Sequence, residues 1–329
     1  MEMPHAAILG IGAYAPERVM TNPELEKMVD TSNEWIIERT GIEERHIAAP
    51  DEAGSDLAVK AALDAMAMAG ITARDLDLII CATVTGDMPF PSTACYVQAK
   101  LGAPQAAAFD VAAGCTGFLY GMHVAQHLIR AGAHRRVLLI GVEVLSRVLD
   151  WTDRSTCVLL GDAAGAAILG LAEDGRQGIL ATNIAADGWK GELLHMPAGG
   201  SLHPASHETV DNGMHYFKMN GRETFKHATR NMEEIAMQTL RDAELGLADV
   251  DLLVPHQANL RIITYLAKQL EVPMEKVFTN VQRYGNTSSA SIPLALTEAY
   301  KSGRVHDGQV ILMVAFGAGL TWGAAALRW

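Results

Sequence analysis

Phe109-Asp-Val-Ala-Ala-Gly-Cys-Thr-Gly-Phe-Leu-Tyr120 sets one thiol, Cys115, where an apolar strand gives way to a long apolar helix. Helical spacing runs on through Met122, Ala125 and Leu128 to Arg130, and Gly132 supplies the stop. The helix is expected to begin at the cysteine and, being almost wholly apolar in its first turns, to be buried. A thiol there would face unpaired backbone N–H groups and the positive end of the helix dipole, which favour the nucleophilic thiolate. A free cysteine serves equally as a small core hydrophobe. This stretch alone leaves both readings open.

A second stretch repeats the first. Phe278-Thr-Asn-Val-Gln-Arg-Tyr-Gly-Asn286 also leads into a helix of small residues, and Cys115 and Asn286 are 286 − 115 = 171 positions apart. At the far ends of the two helices, Arg130-Ala-Gly132 and Lys301-Ser-Gly303 keep the same offset, 303 − 132 = 171. Upstream, Leu76-Asp-Leu-Ile-Ile80 matches Val250-Asp-Leu-Leu-Val254, and Val137-Leu-Leu-Ile140 matches Val310-Ile-Leu-Met313. Gly161-Asp-Ala-Ala-Gly-Ala-Ala-Ile-Leu169 resembles the closing Gly317-Ala-Gly-Leu-Thr-Trp-Gly-Ala-Ala-Ala-Leu327. One order of strands and helices used twice points to an internal duplication, with Cys115 and Asn286 at corresponding helix starts near a pseudo-twofold axis.

Strands are expected at residues 6–10, 76–83, 106–111, 137–142, 157–169, 178–184, 252–255, 276–278, 310–315 and 323–327. Helices are expected at 56–69, 91–101, 116–131, 220–243, 259–269 and 289–301. Such alternation predicts a layered α/β architecture. The division is residues 1–185 for the first half, 186–219 for an irregular insertion rich in Gly, Pro and His, and 220–329 for the second half. A chain of 329 residues exceeds the usual size of a single core, which suits two similar lobes sharing an interface.

Composition narrows the function classes. Hydrophobic content is 49% with mean hydropathy +0.11, yet Gly, Asp or His breaks every apolar run before the roughly 20 residues a membrane helix needs. Met1-Glu-Met-Pro-His5 lacks a basic region and a signal core, so a cytoplasmic enzyme is expected. Cys81, Cys95 and Cys157 read as core packing; without CxxC spacing there is neither a disulfide framework nor a zinc site. Net charge −12 excludes general nucleic-acid binding. An acidic partner would need a local positive patch, for which the candidates are Arg39 with Arg45, and Lys226, Arg261 and Lys268.

Gly10-Ile-Gly-Ala-Tyr-Ala15 satisfies a loose dinucleotide fingerprint. Pro16 follows where the fingerprint needs a helix, and no acidic residue closes a second strand about 20 positions on. A nicotinamide oxidoreductase therefore rests on these residues alone, and the glycines read as turn formers. His256, in Leu252-Leu-Val-Pro-His-Gln-Ala-Asn-Leu-Arg261, opens a loop after an apolar strand, where side chains converge on clefts. Asn286 lies in Tyr284-Gly-Asn-Thr-Ser-Ser-Ala-Ser291, where its amide could donate to a developing oxyanion or cap the helix.

Cys115, His256 and Asn286 together resemble the set of the thiolase-fold condensing enzymes, and within them the β-ketoacyl-acyl carrier protein synthase III family. The resemblance extends through Asp30-Thr-Ser-Asn-Glu-Trp-Ile36, Arg39-Thr-Gly-Ile42, Glu44-Arg-His-Ile47, Gly161-Asp-Ala-Ala-Gly165, Val254-Pro-His-Gln-Ala-Asn-Leu-Arg261, Gly285-Asn-Thr-Ser288 and residues 316–323. It implies a thiolase-like fold, two duplicated βαβαβαββ halves in a layered αβαβα sandwich. It also implies an initiating decarboxylative condensation of an acyl-CoA primer, acetyl-CoA first, with malonyl-acyl carrier protein through an acyl-Cys115 intermediate. CoA thioesters are then substrates, and no cofactor or metal is needed. A sibling that primes a polyketide or quinolone pathway is the alternative on the same fold.

By the same resemblance, Cys115 and Ala318 supply the backbone N–H groups of one oxyanion hole, with Ala318 standing where the family's Phe-Gly-Gly-Gly turn has glycine. Alanine keeps the N–H but reaches positive φ less readily. Trp35 and Arg154 would clasp the adenine of CoA, with Arg39, Phe225 and Asn259 along the tunnel; Arg222 stands where related sequences often carry a smaller polar residue. Phe90, Leu145, Leu160 and Leu194 would line the acyl pocket. Gln257, Ala258, Asn259, Leu260 and Arg261, with Lys226 and Lys268, would meet the acidic carrier protein. The loop carrying Phe90 implies a homodimer.

Overall fold

The computed structural model describes residues 5–172 and 178–329; residues 1–4, part of the N-terminus read above as lacking a signal core, lie outside it. The first half opens with β1 (Ala6–Tyr14), followed by a flap made of β2 (Arg18–Thr21), α1 (Asn22–Leu25), α2 (Asn33–Thr40) and β3 (Glu44–Ile47). It continues with α3 (Gly54–Ala69), β4 (Leu78–Ala82), α4 (Thr93–Leu101), β5 (Ala107–Val111), α5 (Gly117–Arg130), β6 (Val137–Glu143) and β7 (Ala163–Leu171). The second half has β8 (Gly178–Ala186), then short elements β9 (Leu194–His195), α6 (His207–Asp211) and β10 (Lys218–Met219). It closes with α7 (Gly221–Asp242), β11 (Leu252–Pro255), α8 (Leu260–Gln269), α9 (Val281–Tyr284), α10 (Ser291–Lys301), β12 (Val310–Gly317) and β13 (Thr321–Arg328).

The duplication is visible in the sheets. Their orders are β1-β7-β6-β4-β5 and β11-β12-β13-β8. In each, two long antiparallel pairings stand at one end and parallel pairing at the other, so β8, β13, β12 and β11 repeat β1, β7, β6 and β4. The counterpart of β5, expected at 276–278, shrinks to one bridge between Leu253 and Val277, because a 3-10 turn over Met274–Lys276 follows Pro273. α5 and α10 lie between the two sheets, while α3 and α4 cover one outer face and α7 and α8 the other. That is the expected αβαβα sandwich. α10 is apolar almost all round, with Ile292, Leu294, Ala295, Leu296 and Ala299 buried, as a helix enclosed by protein must be.

Several local expectations change. Gly10 and Gly12 lie inside β1 and form no turn; a Cβ on them would come within 2.4 Å of Ala65 O and 2.3 Å of Ala61 O, so they let α3 lie against the strand. Residues 157–160 turn before β7 begins at Ala163, because the chain there is tied sideways to Asn286 by the Leu160–Asn286 bridge. Cys95 is exposed, on the face of α4 turned away from the sheet. The flap has no long apolar run, and its anchor is Arg45, which is fully buried and so belongs to no surface patch. Its Nη1 donates to Asn22 Oδ1 at 2.8 Å and its Nη2 to Val158 O at 2.7 Å. Among the described residues no helix is long and apolar enough to cross a membrane.

The halves meet backbone to backbone. A Cβ on Gly141 of β6 would come within 2.2 Å of Ser289 O, at the approach to α10. Gly141→Ala should therefore lower stability by about 2–3 kcal/mol, read from the midpoint of urea unfolding, because the neighbour is backbone and cannot swing aside.

Candidate active site

The nucleophile candidate sits on a tight turn. A 3-10 turn over Gly114–Thr116 precedes α5, so the α-helix proper starts at Gly117, two residues after the cysteine. Gly114 adopts φ 51°, and a side chain there would meet Ala318 N at 2.9 Å. Thr116 Oγ1 lies 2.6 Å from Thr321 Oγ1, and Thr321 Oγ1 lies within donating distance of Ala113 O and Ala318 O. These bonds lash the Cys115 turn to the loop between β12 and β13. Ala318 is not in the left-handed region; that φ, 136°, falls on Gly319. Alanine therefore fits the loop without the strain that the resemblance raised.

His256 and Asn286 are each held from behind. The backbone N–H of His256 donates to Val314 O, and its Nδ1 lies 2.6 Å from Ser291 Oγ. Ser291 Oγ accepts from the Gln257 N–H at 3.4 Å; in the tautomer where its own proton goes to Nδ1, the ring proton stands on Nε2. Burial pulls the pKa of His256 down to about 3, so the ring is neutral at physiological pH. Asn286 N donates to Leu159 O at 2.8 Å, and Asn286 O accepts from Gly161 N. Its Oδ1 accepts from Ser288 N at 2.9 Å, which leaves Nδ2 as the free donor of the carboxamide.

All three line one cavity of about 320 Å³. Its walls are mostly apolar, with Leu145, Leu160, Leu194 and Phe217 among them, and Phe225 and Asn259 are shared with the neighbouring concavity. Phe90 is absent from it and is 83% exposed. The expected thiolate is corrected by burial: desolvation pushes the Cys115 thiol up to about 11, a hydrogen bond with Ser288 opposes that, and the carboxyl of Glu143 adds to the rise. Loss of water is the largest of these contributions. Glu143 itself is fully buried, and desolvation raises it to about 7 against four hydroxyl donors and one N–H.

The cavity opens towards a basic concavity lined by Arg39, Arg222, Phe225, Asn259 and Arg261. None of its three arginines has a carboxylate partner among the described residues. Nearby on the flap, the Arg154 guanidinium lies 5.3 Å from the centre of the Trp35 ring and donates to Asp30 O. Asn259 Nδ2 donates to Arg39 O and its Oδ1 caps α8 at Arg261 N. Lys268 lies on α8 two turns beyond Arg261, and Lys226 is exposed on α7. Gln257 corrects the expectation of a surface contact: it is 1% exposed, bonding Pro255 O, Phe278 O and Asn280 N. Glu143, Ser288 and Ser291 are neighbours of the site that the sequence did not single out. The available signal for Glu143 was a charged residue ending the wholly apolar strand Val137-Leu-Leu-Ile-Gly-Val142.

Comparison with known proteins gives one answer throughout. The family described as 3-Oxoacyl-[acyl-carrier-protein (ACP)] synthase III matches residues 109–188, and its C-terminal counterpart matches residues 240–329. The chain is 57% identical over 329 residues to the β-ketoacyl-[acyl-carrier-protein] synthase III of Symbiobacterium thermophilum, covering 100% of this chain and 99% of the relative. The crystal structure of 3-oxoacyl-[acyl-carrier-protein] synthase III from Aquifex aeolicus superposes with TM-score 0.91 at 49% identity, over 98% of this chain and 100% of that one. The priming β-ketosynthase from the R1128 polyketide pathway also superposes with TM-score 0.91, at 36% identity, over 99% of this chain and 97% of that one.

The buried thiol has a direct signature. Alkylation of Cys115 by iodoacetamide, followed by peptide mass, should still be climbing about tenfold per pH unit between pH 9 and 10, since a thiol titrating at about 11 gains thiolate across that whole range. A rise of no more than about twofold over that range would show an unperturbed thiol, and a plateau already reached by pH 9 a thiol held below its ordinary value.

Proposed function

The chain belongs to the 3-oxoacyl-[acyl-carrier-protein] synthase III family, the condensing enzymes that initiate fatty-acid synthesis, and from that premise we propose that Cys115 carries the acyl primer while His256 and Asn286 direct the condensation. The observation that carries this reading is convergence: a thiol, a neutral imidazole with its proton on Nε2 and a carboxamide with Nδ2 free all face one apolar cavity. In the first half-reaction the Cys115 sulfur attacks the thioester carbon of an acyl-CoA, acetyl-CoA first. The bond to the CoA sulfur breaks, and CoA leaves with the proton that the thiol gave up. The N–H groups of Cys115 and Ala318 receive the developing oxyanion. The close pairing of Gly114 and Gly317 with their neighbours supports that placement.

In the second half-reaction malonyl-acyl carrier protein enters by the same mouth. Its terminal C–C bond breaks, carbon dioxide departs, and the electron pair moves onto the thioester oxygen as an enolate. His256 Nε2 and Asn286 Nδ2 donate to that oxygen. A ring that titrates at about 3 supports a donor role and not that of a base. The enolate carbon then attacks the acyl-cysteine, a C–C bond forms, and the C–S bond breaks to release 3-oxoacyl-carrier protein. Leu145, Leu160 and Leu194 hold the acyl chain; Trp35 and Arg154 take the adenine, and Arg39, Phe225 and Asn259 line its path. The unpaired Arg261, with Lys226 and Lys268, supports docking of an acidic carrier despite net charge −12.

The functional unit in this reading is a homodimer. The outer edge of β5 is unpaired, with Ala107 and Phe109 exposed, and Phe90, Met88 and Val84 are exposed on the preceding loop. An apolar strand edge left open in this way invites isologous pairing with a second copy. Four free cysteines fit a reducing cytoplasm.

Two measurements test the reading. After mixing with acetyl-CoA, intact mass should show an acetyl adduct that Cys115→Ala lacks and that malonyl-carrier protein discharges. His256→Ala and Asn286→Ala should acylate within about threefold of the parent rate and lose roughly 10²–10³-fold in condensation. A parent chain that takes no acyl group from any CoA thioester would sink the proposal. In sedimentation, the chain should run at twice its 35.3 kDa, and Phe109→Glu should shift it towards the single-chain mass.

A further inference from the structure

Among the described residues Glu143 is a buried carboxylate bonded to three residues that line this cavity, Val84, Thr85 and Ser288, and the reaction just described does not use it. It ends β6 in the first half and reaches across to the second half. Its two oxygens have separate duties. Oε2 accepts from Thr85 Oγ1 at 2.6 Å and Thr83 Oγ1 at 3.3 Å, while Oε1 accepts from Ser288 Oγ and Ser289 Oγ, both at 3.1 Å. The Val84 N–H is shared between them at 3.4 and 3.2 Å. No basic group is bonded to it among the described residues. Of these partners Ser288 is distinctive. It lines the cavity, it is one of three non-glycine residues with positive φ, at 48°, and its N–H donates to Asn286 Oδ1 at 2.9 Å. A left-handed serine persists only where its surroundings hold it there.

We propose that Glu143 is a positioning residue for the condensation step: it fixes Ser288, and through Ser288 the Asn286 carboxamide, so that Nδ2 and not Oδ1 meets the substrate oxygen. The two ends of a carboxamide have the same shape, so hydrogen bonding alone decides which one faces a ligand. With Ser288 N–H occupying Oδ1, the amide can only donate. Released, it could turn its carbonyl towards the enolate, where like partial charges repel. Acylation of Cys115 makes no use of Asn286; Ser288 and Glu143 also act on the thiol directly, and any change of acylation by that route is the same whether or not Asn286 is present. The inference rests on the oxyanion role given to Asn286 above.

The test is a double-mutant cycle on the full-length enzyme, with acylation and condensation measured separately. Glu143→Gln keeps the shape, but its Oε1 must face the Val84 N–H and the threonines, which turns an NH₂ onto Ser288 and reverses that hydroxyl. Alone, it should lower condensation kcat about tenfold or more, leave KM for malonyl-carrier protein within about twofold and leave acylation within about threefold. In an Asn286→Ala background it should cost less than about twofold, since the group it positions is gone. Ser288→Ala should be non-additive with Asn286→Ala in the same way, and it carries the cycle alone if Glu143→Gln shows no cooperative melt. Equal losses in both backgrounds, parallel losses of acylation and condensation, or no loss at all would each overturn the inference. A parent enzyme that acylates but never condenses would instead overturn the functional reading beneath it.

Discussion

Two buried helix starts are forced together across a pseudo-twofold axis, and the rest of the molecule is arranged around that approach. The contact is close: Gly141 of β6 lies against the Ser289 carbonyl, and a Cβ on Gly117, at the start of α5, would come within 3.5 Å of Ser289 Cβ at the approach to α10. Both helix starts present their positive ends to one small space, which by itself is unfavourable. A carboxyl at that junction, contributed by the first half and bonded by two serines of the second, titrates at about 7 and so supplies the opposite charge in part at neutral pH. The sheets on either side, each covered outside by its own helices, keep water from the junction.

Water exclusion sets the character of the chemistry. A thiol high on the pH scale and an imidazole that stays neutral mean that the free enzyme stores no reactive ion pair. In the function proposed above, reactivity is created when a thioester enters and donors already in place meet the charge that develops on its oxygen. Such preorganised dipoles are stronger in a dry cavity than in solvent. A ready-made thiolate would react with stray electrophiles; a latent one is spent only on a substrate that fits.

The duplication was legible because both halves must satisfy one set of packing rules, so the helix starts and stops recur at an offset of 171 and the neighbouring strands at 310 − 137 = 173 and 250 − 76 = 174. That Cys115, His256 and Asn286 share one cavity was partly legible, because Cys115 and His256 follow the ends of strands and Asn286 stands at the approach to a helix of small residues. What escaped was long-range. Glu143 and Ser288 are 145 positions apart, and no local pattern announces their bond. The flap escaped because its strands are four residues long and carry Arg18, Glu44, Arg45 and His46, which blur any alternation. The glycines of β1 misled because glycine signals turns and close packing equally; only the position of α3 decides between them. The thiol misled because a helix end is visible in sequence and the depth of a cavity is not.

The far wall of the cavity has a different origin from its floor. Leu194, His195, Met196, Phe217 and Met219 all come from the short elements between β8 and α7, tied down at Val148 O by the Phe217 N–H, and not from the duplicated sheets and central helices. One wall of the chamber is therefore written in a part of the chain separate from the scaffold. Changes in the strap can lengthen, bend or block the chamber while the junction of helix starts stays untouched. A lineage built on this plan can diversify its diet without relearning its chemistry.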